Sequence, residues 1–277
     1  AMYGRCWSLE DASKVFEKIL YKDAASWNSI IGAHVEQGQI EIALRLFEDM
    51  QNKKGIFPDV FTFISLLKAC TASLASENAM LLHVCICEDG LEHSLDISTS
   101  LINAYSKCNS LQDAQKVFDR MVKHTKISWN SIIGAYVCHG KHEVAHRLLF
   151  RMIDEEGKIP DKVTIVSILG AFVKSEALFE GKELHKFLLD HGYTIDEVMG
   201  SSLINMYGKC GDIGSAKDVF DNVKEEATVV SWTSMIRVYV EHDQGEKALQ
   251  LFSQMIAEKR HLIPDDVAFI TILAACA

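Results

Sequence analysis

Apolar residues along the chain recur at i, i+3, i+4 and i+7, the stripe of an amphipathic α-helix. Ala43/Leu46/Phe47/Met50 forms one such stripe, and Ala145/Leu148/Leu149/Met152 and Ala248/Leu251/Phe252/Met255 repeat it. The stripes run for about 10–15 residues and pair around short polar breaks, as at Glu36-Gln37-Gly38-Gln39 and Cys138-His139-Gly140-Lys141. Two such stretches around a break predict a helix–turn–helix hairpin. One hairpin cannot bury its own apolar face, so hairpins must stack into a solenoid. The expected fold is all-α.

Punctuation along the chain fixes the repeat. Pro58, Pro160 and Pro264 each precede an aspartate (Asp59, Asp161, Asp265) and lie 102 and 104 residues apart. Trp27, Trp129 and Trp232 each follow a serine, 102 and 103 residues apart. Cys6, Cys108 and Cys210 stand 102 apart in YGRC, YSKC and YGKC. That period is too long for one hairpin and divides into three. One third carries Ala12/Val15/Phe16, Ala114/Val117/Phe118 or Ala216/Val219/Phe220. The next carries the Ser-Trp pair. The last carries TFISLLKAC (62–70), TIVSILGAF (164–172) or AFITILAAC (268–276).

Composition narrows the picture. The 277 residues are 48% hydrophobic and 24% charged, enough for a large core and unlike a disordered chain. Three Pro and 16 Gly argue against turn-rich β folds. No run of ~18 uncharged apolar residues predicts a membrane helix. The opening residues, followed by Glu10 and Asp11, have no basic leader pattern, so no signal or transit peptide is read there. The formal charge of −10 excludes a strongly basic nucleic-acid binder. Eight cysteines without a secretory start read as thiols. There is no C-x2-C pair, and Cys85 and Cys87 point apart on a helix, so neither a metal nor another cofactor is expected. No G-x-S-x-G, Walker loop or G-x-G-x-x-G occurs, and the chain does not read as an enzyme.

The stretches SWNSIIGAHVEQG…ALRLFEDM…PD and LINMYGKCGDIGSAKDVF resemble pentatricopeptide repeats of the mixed-length plant type, in which standard (P), long (L) and short (S) motifs alternate. The resemblance covers the whole chain and implies a right-handed superhelical solenoid. It places a partial S at 1–23, P at 24–59, L at 60–94, S at 95–125, P at 126–161, L at 162–196, S at 197–228, P at 229–265 and a partial L at 266–277. The chain then reads as a stretch of a longer array. Uncapped repeat faces at 1–16 and 266–277 imply fraying or end-to-end self-association.

The resemblance also implies a function: reading single-stranded RNA at one base per repeat. Two positions per repeat select the base. In the standard repeats these are Asn28 with Asp59, Asn130 with Asp161, and Thr233 with Asp265; Asn/Asp implies uracil and Thr/Asp guanine. In the short repeats they are Thr99 with Thr125 and Ser201 with Thr228, implying purines. Three positions before the reading residue a branched apolar side chain sandwiches bases: Ile127 and Val230, with Ala25 in the first standard repeat. Phosphate is met by Arg5, Lys107, Lys174 and Lys209, whereas Glu36, Cys138 and Glu241 hold that place in the standard repeats. Long repeats carry Ile64 and Val166 where a base reader is expected. They imply spacers, or docking sites for small accessory editing-factor proteins. The implied protein is the targeting array of a C-to-U RNA editing factor in a mitochondrion or chloroplast. A cytidine deaminase site needs H-x-E and a later P-C-x-x-C; His34-Val35-Glu36 matches only the first half.

Plainer readings stand beside these. Asn28, Asn130 and Thr233 suit helix N-caps, and the three aspartates suit a helix dipole. The tryptophans suit core anchors. Arg5, Lys107 and Lys209 suit solvated positions. A protein-interaction scaffold without RNA competes with the RNA reader, and the net charge favours it.

Overall fold

The structure, a computed structural model, describes residues 8–74, 76–155, 157–172, 175–224, 227–258 and 263–274. Among these residues the regular structure is helical throughout. The helices are α1 (Leu9–Lys18), α2 (Ala24–Glu36), α3 (Ile40–Gln51), α4 (Val60–Ser73), α5 (Ser76–Glu88), α6 (Leu95–Lys107), α7 (Leu111–Arg120), α8 (Lys126–Cys138), α9 (His142–Asp154) and α10 (Lys162–Ala171). They continue with α11 (Leu178–Asp190), entered by a 3₁₀ turn at Ser175–Ala177, then α12 (Glu197–Lys209), α13 (Ile213–Val223), α14 (Val229–Glu241), α15 (Gly245–Glu258) and α16 (Asp266–Ala274).

The chain forms two compact units, Ala1–Ala135 and Tyr136–Ala277. In the first, α2 packs on α4 and α4 on α6, while α3, α5 and α7 lie against these first helices of their hairpins. In the second, α10, α12, α14 and α16 make the same row, with α11, α13 and α15 beside it. First helices therefore pack on one another along the row, and most second helices lie against the first helix of their own hairpin and that of the next, as stacked hairpins require. The left-handed residue that ends a helix before its partner is Gly140 (φ 66°) or Gly211 (φ 83°), with Asp243 (φ 56°) and Asn109 (φ 62°) in the equivalent places.

The sequence landmarks meet in the core. Phe16 meets Trp27 edge-to-face at 4.9 Å, Phe118 meets Trp129 at 4.7 Å, and Phe220 meets Trp232 at 5.0 Å. All three tryptophans are buried, so they anchor hairpin to hairpin. The cysteines of YSKC and YGKC are buried too. Cys108 Sγ lies 3.7 Å from the Cys70 carbonyl and Cys210 Sγ 3.9 Å from that of Phe172. Burial pushes the Cys70 thiol up to about 11. A second duplicated contact joins α5 to α6 and α11 to α12: His83 Nδ1 shares a 2.9 Å hydrogen bond with the Tyr105 hydroxyl, and His185 Nδ1 does the same with Tyr207. Burial lowers both histidines, with Arg120 adding to the effect at His83, and pushes both tyrosines up to about 12.

The copies differ where helices cross closely. A Cβ at Gly208 would lie 2.3 Å from Val238 Cγ2. One period earlier the residues are Ser106 and Ala135: the larger side chain on one helix is matched by the smaller on the next. Replacing Gly208 by Ser should therefore cost about 1–3 kcal/mol by overpacking. Adding Val238→Ala should return most of that stability, measured as a double-mutant cycle of urea midpoints.

The half-buried His83 and His185 predict an acid limb. Their folded values lie below the ordinary 6.5, so their contribution is complete above pH 6.5 and is lost as pH falls through the folded values. Thermal midpoints should drop over that window. The drop should be shallower in a His83→Gln/His185→Gln variant.

Candidate functional site

Every first helix opens with the same three-part construction. The residue before it caps it in all but α6, its second residue is at the surface, and in α2 its fifth residue touches the cap of the following hairpin's first helix. Asp23, Asp59, Asp161, Asp196 and Asp265 accept from the N–H of Ser26, Thr62, Thr164, Met199 and Ala268 respectively. Thr125 and Thr228 accept from Ser128 N–H at 3.1 Å and Val230 N–H at 3.3 Å. Ser94 precedes α6 without a side-chain cap. Capping satisfies N–H groups that a helix start leaves unpaired, which is why Asp and Thr stand at these joints.

Asn28, Thr99, Asn130, Ser201 and Thr233 are each the fifth residue of their helix, in α2, α6, α8, α12 and α14. They are not N-caps: the capping alternative belongs to their sequence partners. Ile64 and Val166 take the fifth place in α4 and α10, half-buried.

The first standard repeat brings its two predicted residues into contact. Asn28 Nδ2 donates to both carboxylate oxygens of Asp59, at 2.9 and 3.1 Å. Thr62, a residue outside the predicted set, donates its hydroxyl to Asn28 Oδ1 at 2.5 Å. Burial raises the Asp59 carboxyl, but hydrogen bonds led by the Thr62 N–H and the Asn28 amide outweigh it and leave its pKa below 3.8. The signal that could have found Thr62 is the capping-box spacing Asp59-x-x-Thr62.

The other pairs are built differently. Thr99 is buried and donates to the Leu95 carbonyl at 2.8 Å. With Thr125, Ile127, Ile64, Leu95, Asp96 and Ser100 it lines a groove of about 300 Å³. Ser201 donates to the Val198 carbonyl at 3.1 Å, and the Thr228 hydroxyl is hydrogen-bonded to the Glu197 carboxylate. Sequence patterning gave no hint of Glu197. Thr233 is buried, and its hydroxyl has no partner among the described residues. Asn130 is half-buried in the first unit, and Asp161 caps α10 in the second. Asp196 also pairs with Lys162, whose hydrogen bond holds the carboxyl below its ordinary value.

Apart from Asp96 in α6, second positions form an exposed apolar set. Ala25, Ile127 and Val230 are exposed as the sequence pattern expects. So are Phe61 (73%), Val163 (74%), Val198 and Val267, which standard-repeat patterning alone does not single out. Large apolar side chains in water at one repeated slot lose the stabilisation that burial would bring, about 1.5–3 kcal/mol each. Lys107 and Lys209 end α6 and α12 and are exposed; Glu36, Cys138 and Glu241 end α2, α8 and α14 and are exposed too. Arg5 and Lys174 lie outside the described residues. Among the described residues, no group of three or more His, Cys, Asp or Glu could hold a metal ion, and no helix is long and apolar enough to cross a membrane.

A profile described as "PPR repeat family" matches residues 22–72 and 227–277, and one described as "PPR repeat" matches 97–125, 127–156 and 201–226. Two proteins of Arabidopsis thaliana match over the full chain. The chloroplastic pentatricopeptide repeat-containing protein At4g35130 is 35% identical, with 33% of its own length covered. The mitochondrial At3g02330 is 36% identical, with 32% covered. The chain thus spans about a third of the length of the curated relatives it matches. Among solved structures, the pentatricopeptide repeat protein PPR10, a triple cysteine-to-serine variant in complex with an 18-nucleotide psaJ RNA element, superposes with a TM-score of 0.75 at 19% identity, covering 96% of this chain and 40% of that one. The same protein without those substitutions, with the same RNA, gives 0.73 at 17% identity, again covering 96% and 40%. With hairpin stacking, repeat landmarks and matched profiles spread over more than half its length, this chain belongs to the pentatricopeptide repeat family.

Proposed function

We propose that this chain is a sequence-selective module for single-stranded RNA, reading one base per repeat, and not an enzyme. The observation that carries the reading is the slot of three residues: an exposed apolar side chain at position two, a polar reader at position five, and the cap of the next hairpin. Asn28 and Asp59 give that slot a preformed hydrogen-bonding edge, and Ile127 and Val230 offer apolar faces to bases. An unstacked strand presents both its base edges and its faces to such a row. The RNA held by PPR10, a protein of the same fold, supports the ligand class.

In this reading the repeats run P, L and S with the boundaries set out above. The bases, 5′ to 3′, are U, any, purine, U, any, purine and G. The long repeats, with Ile64 and Val166 behind exposed Phe61 and Val163, offer no hydrogen bond to a base edge and act as spacers. That apolar pair of slots is also the specific support for a second role, docking of accessory editing-factor proteins. The named relatives are chloroplastic or mitochondrial, which supports an organellar home; the targeting role in RNA editing rests on the resemblance of the repeat pattern alone. Contacts between exposed terminal repeats would give end-to-end self-association.

A fluorescence-anisotropy titration at low salt tests the reading. The predicted seven bases within a strand of about 15 nucleotides should bind tightly, and the same strand with C at both U positions should bind more weakly. With Arg5, Lys107, Lys174 and Lys209 as the phosphate contacts, the logarithmic salt slope should be roughly −3, from about −0.7 for each of four cations. Equal weak binding of both strands would favour the protein-scaffold role. Independently, Asn130→Thr should move the preference at one base from U to G while leaving the circular-dichroism melt unchanged; an unaltered base preference would exclude Asn130 as a reader.

A further inference from the structure

The hydroxyl of Thr62 touches both members of the Asn28–Asp59 pair, yet a scheme of two readers per repeat leaves it without a task. Thr62 is fully buried. Its Oγ1 accepts from the Asp59 N–H at 3.1 Å, lies 3.0 Å from Asp59 Oδ1, and donates to Asn28 Oδ1 at 2.5 Å. A hydroxyl has one hydrogen, and the shortest of these contacts takes it to the amide.

This matters because the two ends of an asparagine amide are nearly equal in shape and opposite in chemistry. A half-turn about the terminal bond exchanges donor for acceptor. At Asn28 both ends are held: Nδ2 by the Asp59 carboxylate, Oδ1 by Thr62. The flipped amide would set Oδ1 against a carboxylate that stays ionised at neutral pH, and would lose the Thr62 hydrogen. Held this way, Asn28 keeps one Nδ2 hydrogen for a ligand. A fixed donor suits the O4 carbonyl of uracil and opposes the N4 amino group of cytosine.

We propose that Thr62 is a positioning residue for base selection, fixing the Asn28 amide so that the first standard repeat prefers U over C. The proposal rests on the reading of Asn28 and Asp59 as a base-reading pair. The third standard repeat provides the contrast within its own unit. There Ala268 stands three residues after Asp265, in the place of Thr62, and the reader is Thr233, whose hydroxyl has no partner among the described residues. A threonine hydroxyl rotates to suit its ligand and needs no such hold. An asparagine does.

The test compares wild type, Thr62→Val and Thr62→Ser in the full chain, by anisotropy on RNAs with U or C at the base of the first standard repeat. Thr62→Val should lower the U-over-C ratio at that base about five-fold, the worth of one hydrogen bond. Thr62→Ser should keep the ratio, and the ratio at the Asn130 base should be unchanged in both. A purely structural Thr62 would lower binding to both RNAs equally and leave the ratio intact, which would overturn the proposal. A reciprocal pair covers the case in which Thr62→Val does not fold: Thr233→Asn alone should gain little U preference at its base, and Thr233→Asn/Ala268→Thr should gain it. Full U preference in Thr233→Asn alone would also overturn the proposal. A wild-type chain that prefers neither U nor C at the first base would instead overturn the reading of Asn28 and Asp59 as a base-reading pair, which a selective wild type with an unaltered Thr62→Val would leave standing.

Discussion

The edge-to-face contact between a phenylalanine closing one repeat and the tryptophan opening the next is the joint on which the stacking depends. It recurs three times, at 4.9, 4.7 and 5.0 Å, in both units. A hairpin of two short helices has too little apolar surface to be stable alone. Aromatic rings carry the largest buried area per residue and a directional preference besides. The contact therefore supplies area and sets how one hairpin is rotated against its neighbour. Because α2, α4 and α6, and likewise α10, α12 and α14, follow one another in a packed row, every fifth-position side chain inherits its place from that joint. The proposed reading slots thus come from the packing of the array and not from any loop built for the purpose.

The caps bind the fold and the slot still more closely. Asp59 ends one repeat, starts the helix of the next, and contacts the reader of its own repeat, all through one carboxylate. A cap is worth about 1 kcal/mol to a helix. A residue held for that reason is already immobile, so its use in recognition costs little further side-chain entropy. The same economy explains why the readers themselves are half-buried or buried. Their conformations are set by neighbours such as Thr62 and Leu95 before any ligand arrives. A partner that needs a different side-chain arrangement must break existing hydrogen bonds, which is a source of discrimination.

How much of this was legible in the sequence follows from how local each cause is. Helix periodicity, the Pro-Asp joints and the Ser-Trp landmarks are properties of a few adjacent residues, and the hairpins stand where those patterns put them. The fifth-position slots were legible because identical spacing carries them from repeat to repeat. Thr62 and Glu197 were not, since their roles depend on contacts between residues 34 and 31 positions apart. The exchange of Gly208/Val238 for Ser106/Ala135 was likewise hidden. Neither member of a complementary pair is unusual alone, and only the 2.3 Å approach shows why both must change together. The capping alternative for Asn28 failed for a related reason: Asn is a good cap in general, but Asp23 already held the joint before α2.

Charge then decides what kind of ligand contact the array relies on. If the chain reads RNA as proposed, a net charge of −10 and exposed glutamates at the ends of α2 and α14 leave little of its affinity to phosphates. Lys107 and Lys209 stand between those glutamates along the chain, and Cys138 holds the place in the middle standard repeat, so the attraction they supply is local and opposed at the first and third standard repeats. What remains is the apolar row at the second positions and the fixed polar edges at the fifth. Apolar contact with a base face depends little on which base it is, whereas a held donor such as the Asn28 amide depends on it strongly. An array with weak phosphate attraction gains less from non-matching strands, because those strands offer mainly phosphates. On the base-reading proposal, its acidity would therefore cost affinity for every strand but cost the wrong strand a larger share, leaving the selectivity of the slots to express.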